Sequence, residues 1–155
     1  MNSLTLEQQA TNYVTMKHIQ QVGALLHKIA SELLERAEKH DQSKLESPEV
    51  ELFTEFTPKL AECVYGSPEY EEFRKTMRPA LEHHYAHNRH HPEHFKDGVD
   101  EMNLIDIIEM MCDWKASSSR HHTGNIRKSI TINSERFGIG PQLTKILENT
   151  ADFLD

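Results

Sequence analysis

Three segments of the chain carry histidines and carboxylates at spacings that could bind a metal ion. The first is His40-Asp41-Gln42-Ser43-Lys44, in which an adjacent imidazole and carboxylate can bind one divalent cation. Lys44 follows Asp41 by three residues, so it could hold an anion beside that cation. A polar helix end is the alternative interpretation, because a histidine there interacts favourably with the helix dipole and an aspartate often begins a turn.

The second segment is the histidine-rich stretch 83–94, which holds six of the 11 histidines. At 100° per residue, His84, His87 and Asn88 continue the apolar stripe that begins at Phe73. Burying imidazoles costs free energy unless each is hydrogen-bonded or bound to a metal ion. We therefore predict that His84 and His87 face a metal site. A solvated polar loop with one or two capping histidines is the alternative.

The loop after this helix could close the same site. It carries His90 and His91, and Pro92 stiffens it. Arg89, beside these histidines, is a candidate for binding a phosphate.

The third segment places Asp106, Glu109 and Asp113 at positions i, i+3 and i+7 of a predicted helix. They form one stripe about 60° wide in an otherwise apolar helix. This pattern predicts carboxylates that face an internal cation, with Glu109 or Asp106 orienting the ligands or acting as a base. A surface ladder of acids is the alternative.

The elements that must position these residues are all predicted to be helices. Hydrophobic periodicity and the residues typical of helix ends predict helices at about 11–39, 50–64, 68–91, 103–118 and 125–137, and from Pro141 onwards. Two Ser-Pro-Glu triplets, at Ser47 and Ser67, predict helix N-termini. The stripe of the first helix, which includes Val22 and Leu33, is predicted to face the core. No strand pattern is present, so we expect an all-α fold of six or seven helices in one domain, residues 1–155.

Charge and composition exclude several classes of protein. The net charge is −8, which argues against a general nucleic-acid or acidic-membrane binder. No apolar run approaches the ~20 residues of a membrane span, and residues 1–10 lack the pattern of a secretory signal. The isolated Cys63 and Cys112 suggest reduced thiols in a cytoplasmic protein.

The segment His40-Asp41-x-Ser43-Lys44 resembles the His-Asp-x-Gly-Lys segment of the HD-domain metal-dependent phosphohydrolases. That superfamily uses a first histidine, then His-Asp, then a distant aspartate, which Asp113 resembles. The resemblance implies an HD-domain-like helical fold. It also implies the metal ligands His40, Asp41 and Asp113, with His84, His87 and His91 completing the site or holding a second ion.

A longer pattern resembles an uncharacterised family found in bacteria and their phages. The pattern is a leading histidine, then His-Asp-x-Ser-Lys, His-x-x-x-Asn-x-His-His and Glu-x-x-x-Asp-Trp. It covers about Lys17 to Ala116, which is the motif-bearing core.

His18 is the better candidate for the leading histidine, because it lies on the apolar stripe of the first helix and His27 points away. A continuous helix would separate His18 from His40 by ~33 Å. Three interpretations stay open: the helix breaks before His40, His18 is a packed structural residue, or His18 serves the site of another protomer.

The favoured function is hydrolysis of a phosphate ester, such as a nucleotide or a related small phosphorylated molecule. One or two divalent ions (Mn, Fe, Co, Ni or Zn) would activate water and polarise the phosphoryl group, and a homo-oligomer is compatible with the sequence. Candidate phosphate contacts are Lys44, which could also be catalytic, Asn88, Arg89 and Lys115. One alternative is a non-catalytic metal-binding or nucleotide-sensing module, and another is a helical interaction protein without metal.

Overall fold

The computed structural model of the chain describes residues 4–63, 67–119 and 124–154. Within these ranges the chain forms seven α-helices and no strand, which confirms the predicted all-α class. The chain divides after Glu38 into a first and a second unit, which are described separately below. None of the helices in these ranges combines the length and hydrophobicity of a membrane span.

The first unit contains all of α1 except its last residue, since the helix runs from Leu6 to Lys39. Its start is fixed by a reciprocal cap: the Thr5 amide donates to Gln8 Oε1 (2.9 Å), and the Gln8 amide donates to Thr5 Oγ1 (3.2 Å). No residue described in α1 is buried. The prediction that its apolar stripe faces a core is therefore wrong, and His18 is exposed rather than packed.

In its described residues, the second unit contains six α-helices and three short 3₁₀ turns. The helices are α2 (Glu49–Glu62), α3 (Pro68–Thr76), α4 (Arg78–His87), α5 (Leu104–Ser119), α6 (Ile126–Phe137) and α7 (Pro141–Leu154); the turns are Gln42–Leu45, Pro92–His94 and Gly98–Glu101. Helices α5, α6 and α7 pack around a core that includes Met110, Trp114, Ile130 and Leu147. Helix α2 packs on α4 and on the first turn.

The predicted helix from Pro68 to residue 91 is two helices. Ser67 caps α3 as predicted, accepting a hydrogen bond from the Tyr70 amide at 3.2 Å. The chain then breaks at Met77, because Pro79 has no N–H for the carbonyl of Lys75 and its ring would clash with that carbonyl. α4 ends at His87, earlier than predicted.

Of four other predicted helix boundaries, one is wrong and three are confirmed. Ser47 is not a cap: Pro48 occupies the N-cap position of α2 without a side-chain hydrogen bond. The Asn125 side chain accepts from two backbone amides at the start of α6, and Gly138, at φ 64°, ends that helix in the left-handed region. Pro141 opens α7 as predicted.

Candidate metal centre

The candidate metal centre lies in the second unit and is built around Asp41, two residues after the end of α1. Asp41 has φ 58°, a left-handed conformation that aspartate tolerates better than most residues. Its carbonyl accepts a hydrogen bond from the Lys44 amide at 2.9 Å, which closes the 3₁₀ turn. Its two carboxylate oxygens therefore project from a tightly held backbone.

One oxygen of Asp41 belongs to a four-residue group that we call the first donor set: Asp41, His84, His90 and His91. His84 Nε2 lies 2.9 Å from His91 Nε2 and 3.3 Å from Asp41 Oδ1. His90 Nε2 lies 3.5 Å from the same oxygen. Donors that share an ion at about 2.1 Å stand roughly 3.0–3.4 Å apart, so this spacing suits a common divalent cation.

The other oxygen of Asp41 belongs to the second donor set: His40, Asp41 and Asp113. His40 Nε2 lies 3.5 Å from Asp41 Oδ2 and 3.8 Å from Asp113 Oδ1. The side chains of this set are 18–29% exposed, whereas His84 and His90 in the first set are 2% and 1% exposed. The two sets share Asp41 but differ in their access to solvent.

Glu109 lies behind two of these histidines. Its Oε1 is 3.0 Å from His40 Nδ1 and 3.1 Å from His90 Nδ1. The three residues could themselves hold an ion. A metal-binding histidine commonly donates its other ring N–H to a carboxylate, and Glu109 offers that contact to His40 while His40 Nε2 faces the second donor set.

Buried polar atoms without a hydrogen-bond partner lie between these residues. They are Asp41 Oδ1 and both ring nitrogens of His90; the Glu109 contact to His90 Nδ1 is short but not in hydrogen-bonding geometry. Leaving such atoms unpaired costs about 1–3 kcal/mol each. A cation between Asp41 Oδ1 and His90 Nε2 would satisfy both atoms, so the residues fit a metal ion.

Glu49 supports the first donor set from the N-terminus of α2. It is fully buried, and its Oε1 and Oε2 lie 2.7 Å from His83 Nδ1 and 2.9 Å from His84 Nδ1. The N–H of His84 Nδ1 can then donate to Glu49, which leaves the Nε2 lone pair facing the donor set. The sequence assigned Glu49 only to a first helical turn.

The protonation of the centre follows from its burial and charges. Burial lowers the pKa of His84 and, together with His90 and His84, lowers that of His91 to about 3. The Asp113 and Glu109 carboxylates raise the pKa of His40 to about 10. Burial works to raise the pKa of Asp113, but the hydrogen bond from His40 and the positive charges around it, Lys44 among them, together outweigh burial and lower this pKa to about 2. Near neutral pH, His84 and His91 are therefore neutral, and His40 is protonated.

We expect metal uptake by the second donor set to release about one proton per chain near neutral pH, because only a neutral His40 can bind an ion. Apparent affinity should rise with pH until the pKa of about 10 is reached. The free energy of unfolding of the metal-free protein should instead fall as pH rises. The contribution of His40 is fully present below pH 6.5 and is lost as pH rises through about 10. Titration calorimetry in buffers of different ionisation enthalpy measures the number of protons released when metal binds. His40→Gln is the control and should release none. Wild-type protein that binds at this set without proton release would contradict the expectation.

Several residues predicted for the site lie elsewhere in the described structure. His87 is exposed: its Nδ1 donates to the His83 carbonyl at 2.7 Å, and its ring stacks on that of His83 at 4.1 Å. Asn88 is buried and donates to Ser43 Oγ (2.9 Å) and the His84 carbonyl (2.8 Å), so it positions the centre. His18 belongs to the first unit.

Asp106 and Arg89 form a structural pair. The Arg89 guanidinium reaches both oxygens of fully buried Asp106, at 3.2 and 3.0 Å. Asp106 Oδ2 also accepts from the Asn103 amide, and Asn103 Oδ1 accepts from the Asp106 amide, which caps α5. Lys115 lines a separate cleft of about 240 Å³ with Ser118, Ser119 and Arg127. Of the predicted phosphate contacts, Lys44 pairs directly with the shared carboxylate: its Nζ lies 2.6 Å from Asp41 Oδ2.

The structure thus brings together the predicted residues His40, Asp41, His84, His90, His91, Glu109 and Asp113, and it adds Glu49. Comparison with known proteins gives one family: a model described as "Family of unknown function (DUF5662)" matches residues 7–153. No curated protein and no solved structure matches the chain.

Proposed function

Because the chain belongs to the DUF5662 family, whose function is unknown, we propose from its own residues that it is a metal-dependent phosphohydrolase acting on a small phosphate ester. The observation that carries the proposal is the sharing of Asp41 between a buried four-residue set and a more exposed three-residue set. Four protein ligands are typical of a closed site, and three ligands leave positions for water or substrate.

The second donor set would hold the catalytic ion. Its mixture of imidazole and carboxylate suits a divalent transition metal such as Mn, Fe, Co, Ni or Zn. When bound, such an ion lowers the pKa of a water ligand and polarises a phosphoryl oxygen. Glu109 would hold His40 in place through the 3.0 Å contact at Nδ1, so that Nε2 stays directed at the ion.

Lys44 would bind the phosphoryl group of the substrate. Its Nζ lies 2.6 Å from Asp41 Oδ2, the oxygen of the second donor set. The Lys44 ammonium also stands 5.5 Å from the Phe53 ring centre, which helps to restrict its position. A phosphate oxygen beside this ammonium would place phosphorus next to the ion.

The reaction is a hydrolysis of a nucleotide or related ester in the cytoplasm. The water oxygen forms a bond to phosphorus, the ester P–O bond breaks, and the leaving alcohol takes a proton. The resemblance of His40-Asp41-x-Ser43-Lys44 to the HD-domain phosphohydrolases supports this reaction class, and the net charge of −8 disfavours nucleic acid as the substrate.

A panel of nucleotides, cyclic nucleotides and small phosphomonoesters, each assayed with several divalent ions, tests the proposal. At least one substrate should be hydrolysed in a metal-dependent way. Lys44→Ala should lower turnover at least ~100-fold with little loss of bound metal. Lys59→Ala is the matched control, because Lys59 is also ion-paired (2.8 Å to Glu55) and lies over a phenylalanine ring (4.5 Å to Phe56). Equal activity of Lys44→Ala and wild type would contradict this role.

A non-catalytic metal-binding or nucleotide-sensing module is the second candidate. It is favoured by one observation, the four donors and deep burial of the first donor set, which suit a structural ion. Tight binding of one ion per chain with no turnover under any metal would favour this candidate, and nucleotide binding without turnover would favour the sensor.

A further inference from the structure

The exposed stripe of α1 has the spacing of a coiled-coil seam. Its members alternate by three and four residues, as positions a and d of a heptad do: Ile19, Val22, Leu26, Ile29 and Leu33. The first four are 61%, 40%, 59% and 47% exposed. At 100° per residue, Lys17, Lys28 and Glu35 lie on the opposite face, whereas Glu32 flanks the seam and Arg36 follows Leu33 at its end.

Such a helix requires a partner for its apolar face. α1 has 34 residues and is about 51 Å long, and in proteins most of the stability of a helix comes from packing of its apolar face. Exposed apolar patches of more than a few hundred Å² mark interaction surfaces.

We propose that this seam is covered by the α1 of a second copy of the chain, as a two-stranded coiled coil. The seam itself specifies the occupant, because alternating three- and four-residue spacing fits a helix with the same spacing. The flanking positions also suit self-pairing: Gly23, Ala30 and Ala37 recur every seven residues on one border and allow close approach. At the end of the seam Arg36 is ion-paired with Glu32 of the same helix at 2.9 Å, so pairing brings no block of like charges together.

The buried area is sufficient for a dimer. Each exposed Leu, Ile or Val contributes on the order of 60–120 Å² when buried. Together with Val14 and Leu25, which are 68% and 64% exposed at its margin, the seam would bury on the order of 500 Å² per chain. Two chains then bury about 1,000 Å², the lower range of specific interfaces.

The oligomeric state of the full chain tests the proposal. Light scattering and sedimentation should give twice the chain mass of 18.0 kDa, with and without a chelator. Leu26→Glu/Ile29→Glu should raise the dimer dissociation constant at least ~100-fold and give monomers. Ala24→Glu/His27→Glu, which adds the same charges to the opposite face, should stay dimeric.

The milder Leu26→Ala/Ile29→Ala variant guards against a folding failure, because alanine favours helix. It should weaken the dimer at least ~10-fold and leave the helical content by circular dichroism unchanged. A monomeric wild-type chain at about 100 µM would overturn the proposal. A dimer that survives both seam variants would also overturn it, because another surface would then hold the copies together.

Discussion

Asp41→Asn should abolish tight binding at both donor sets, with a loss of affinity of about 100-fold or more. Changes to residues that only support a metal ligand already cost roughly 10–100-fold, and Asp41 would be a direct ligand whose two oxygens serve different sets. Asparagine keeps the size of the side chain and tolerates φ 58°, so the helical content should not change. Any phosphatase activity should be lost with the metal, as elemental analysis and metal titration beside the activity assay would establish.

Two matched variants show whether Asp41→Asn acts by removing a metal ligand or only by removing a negative charge. Asp113→Asn should weaken only the second donor set and leave one bound ion. Asp100→Asn, on an exposed loop of the same unit, should bind like wild type. If Asp41→Asn kept its full metal content, Asp41 would not be a ligand and the shared-carboxylate arrangement would be wrong.

Glu49→Gln should reduce the metal affinity of the first donor set by about 10–100-fold and lower the free energy of unfolding by about 1–3 kcal/mol. A glutamine has the same shape, but its amide would present N–H to one of the two histidines that Glu49 now accepts from, at 2.7 and 2.9 Å. One buried donor would lose its acceptor, and His84 would no longer be held with Nε2 towards the ion.

Chemical denaturation and metal titration measure the two effects separately. Glu51→Gln, an exposed change on the same helix, is the control and should alter neither quantity. Loss of stability with unchanged metal affinity would make Glu49 a packing residue without a role in positioning His84.

The helical wheel predicted part of the centre because it depends only on local geometry. His84 faces inward, as the stripe from Phe73 predicted, and is 2% exposed. The same wheel also turned His87 inward, because it assumed one helix that runs from Pro68 almost to Pro92. α4 instead ends at His87, and the following loop brings His90 and His91 beside His84. A periodic pattern cannot predict where a loop returns.

The two Ser-Pro-Glu triplets show a second limit. Glu49 and Glu69 follow the same two residues, and both triplets predicted a simple helix start. Glu69 is exposed, whereas Glu49 is fully buried between two histidines. The difference arises from α2 packing on α4, a tertiary contact that no triplet encodes. The acidic stripe on α5 was similarly predicted to serve the metal site as a whole. Asp106 instead caps the helix and holds Arg89.

The cap at Asp106 also sets which changes of chain length this protein can accommodate. Glu109 and Asp113 follow Asp106 by three and seven residues, so the pair with Arg89 at one end fixes their direction at the centre. One residue inserted between Asp106 and Glu109 would turn both later carboxylates by about 100° and shift them by about 1.5 Å. The loop at 95–101, which precedes the cap, is free of that constraint. Insertions and deletions should therefore be compatible with the centre in that loop and incompatible with it from Asp106 to Asp113.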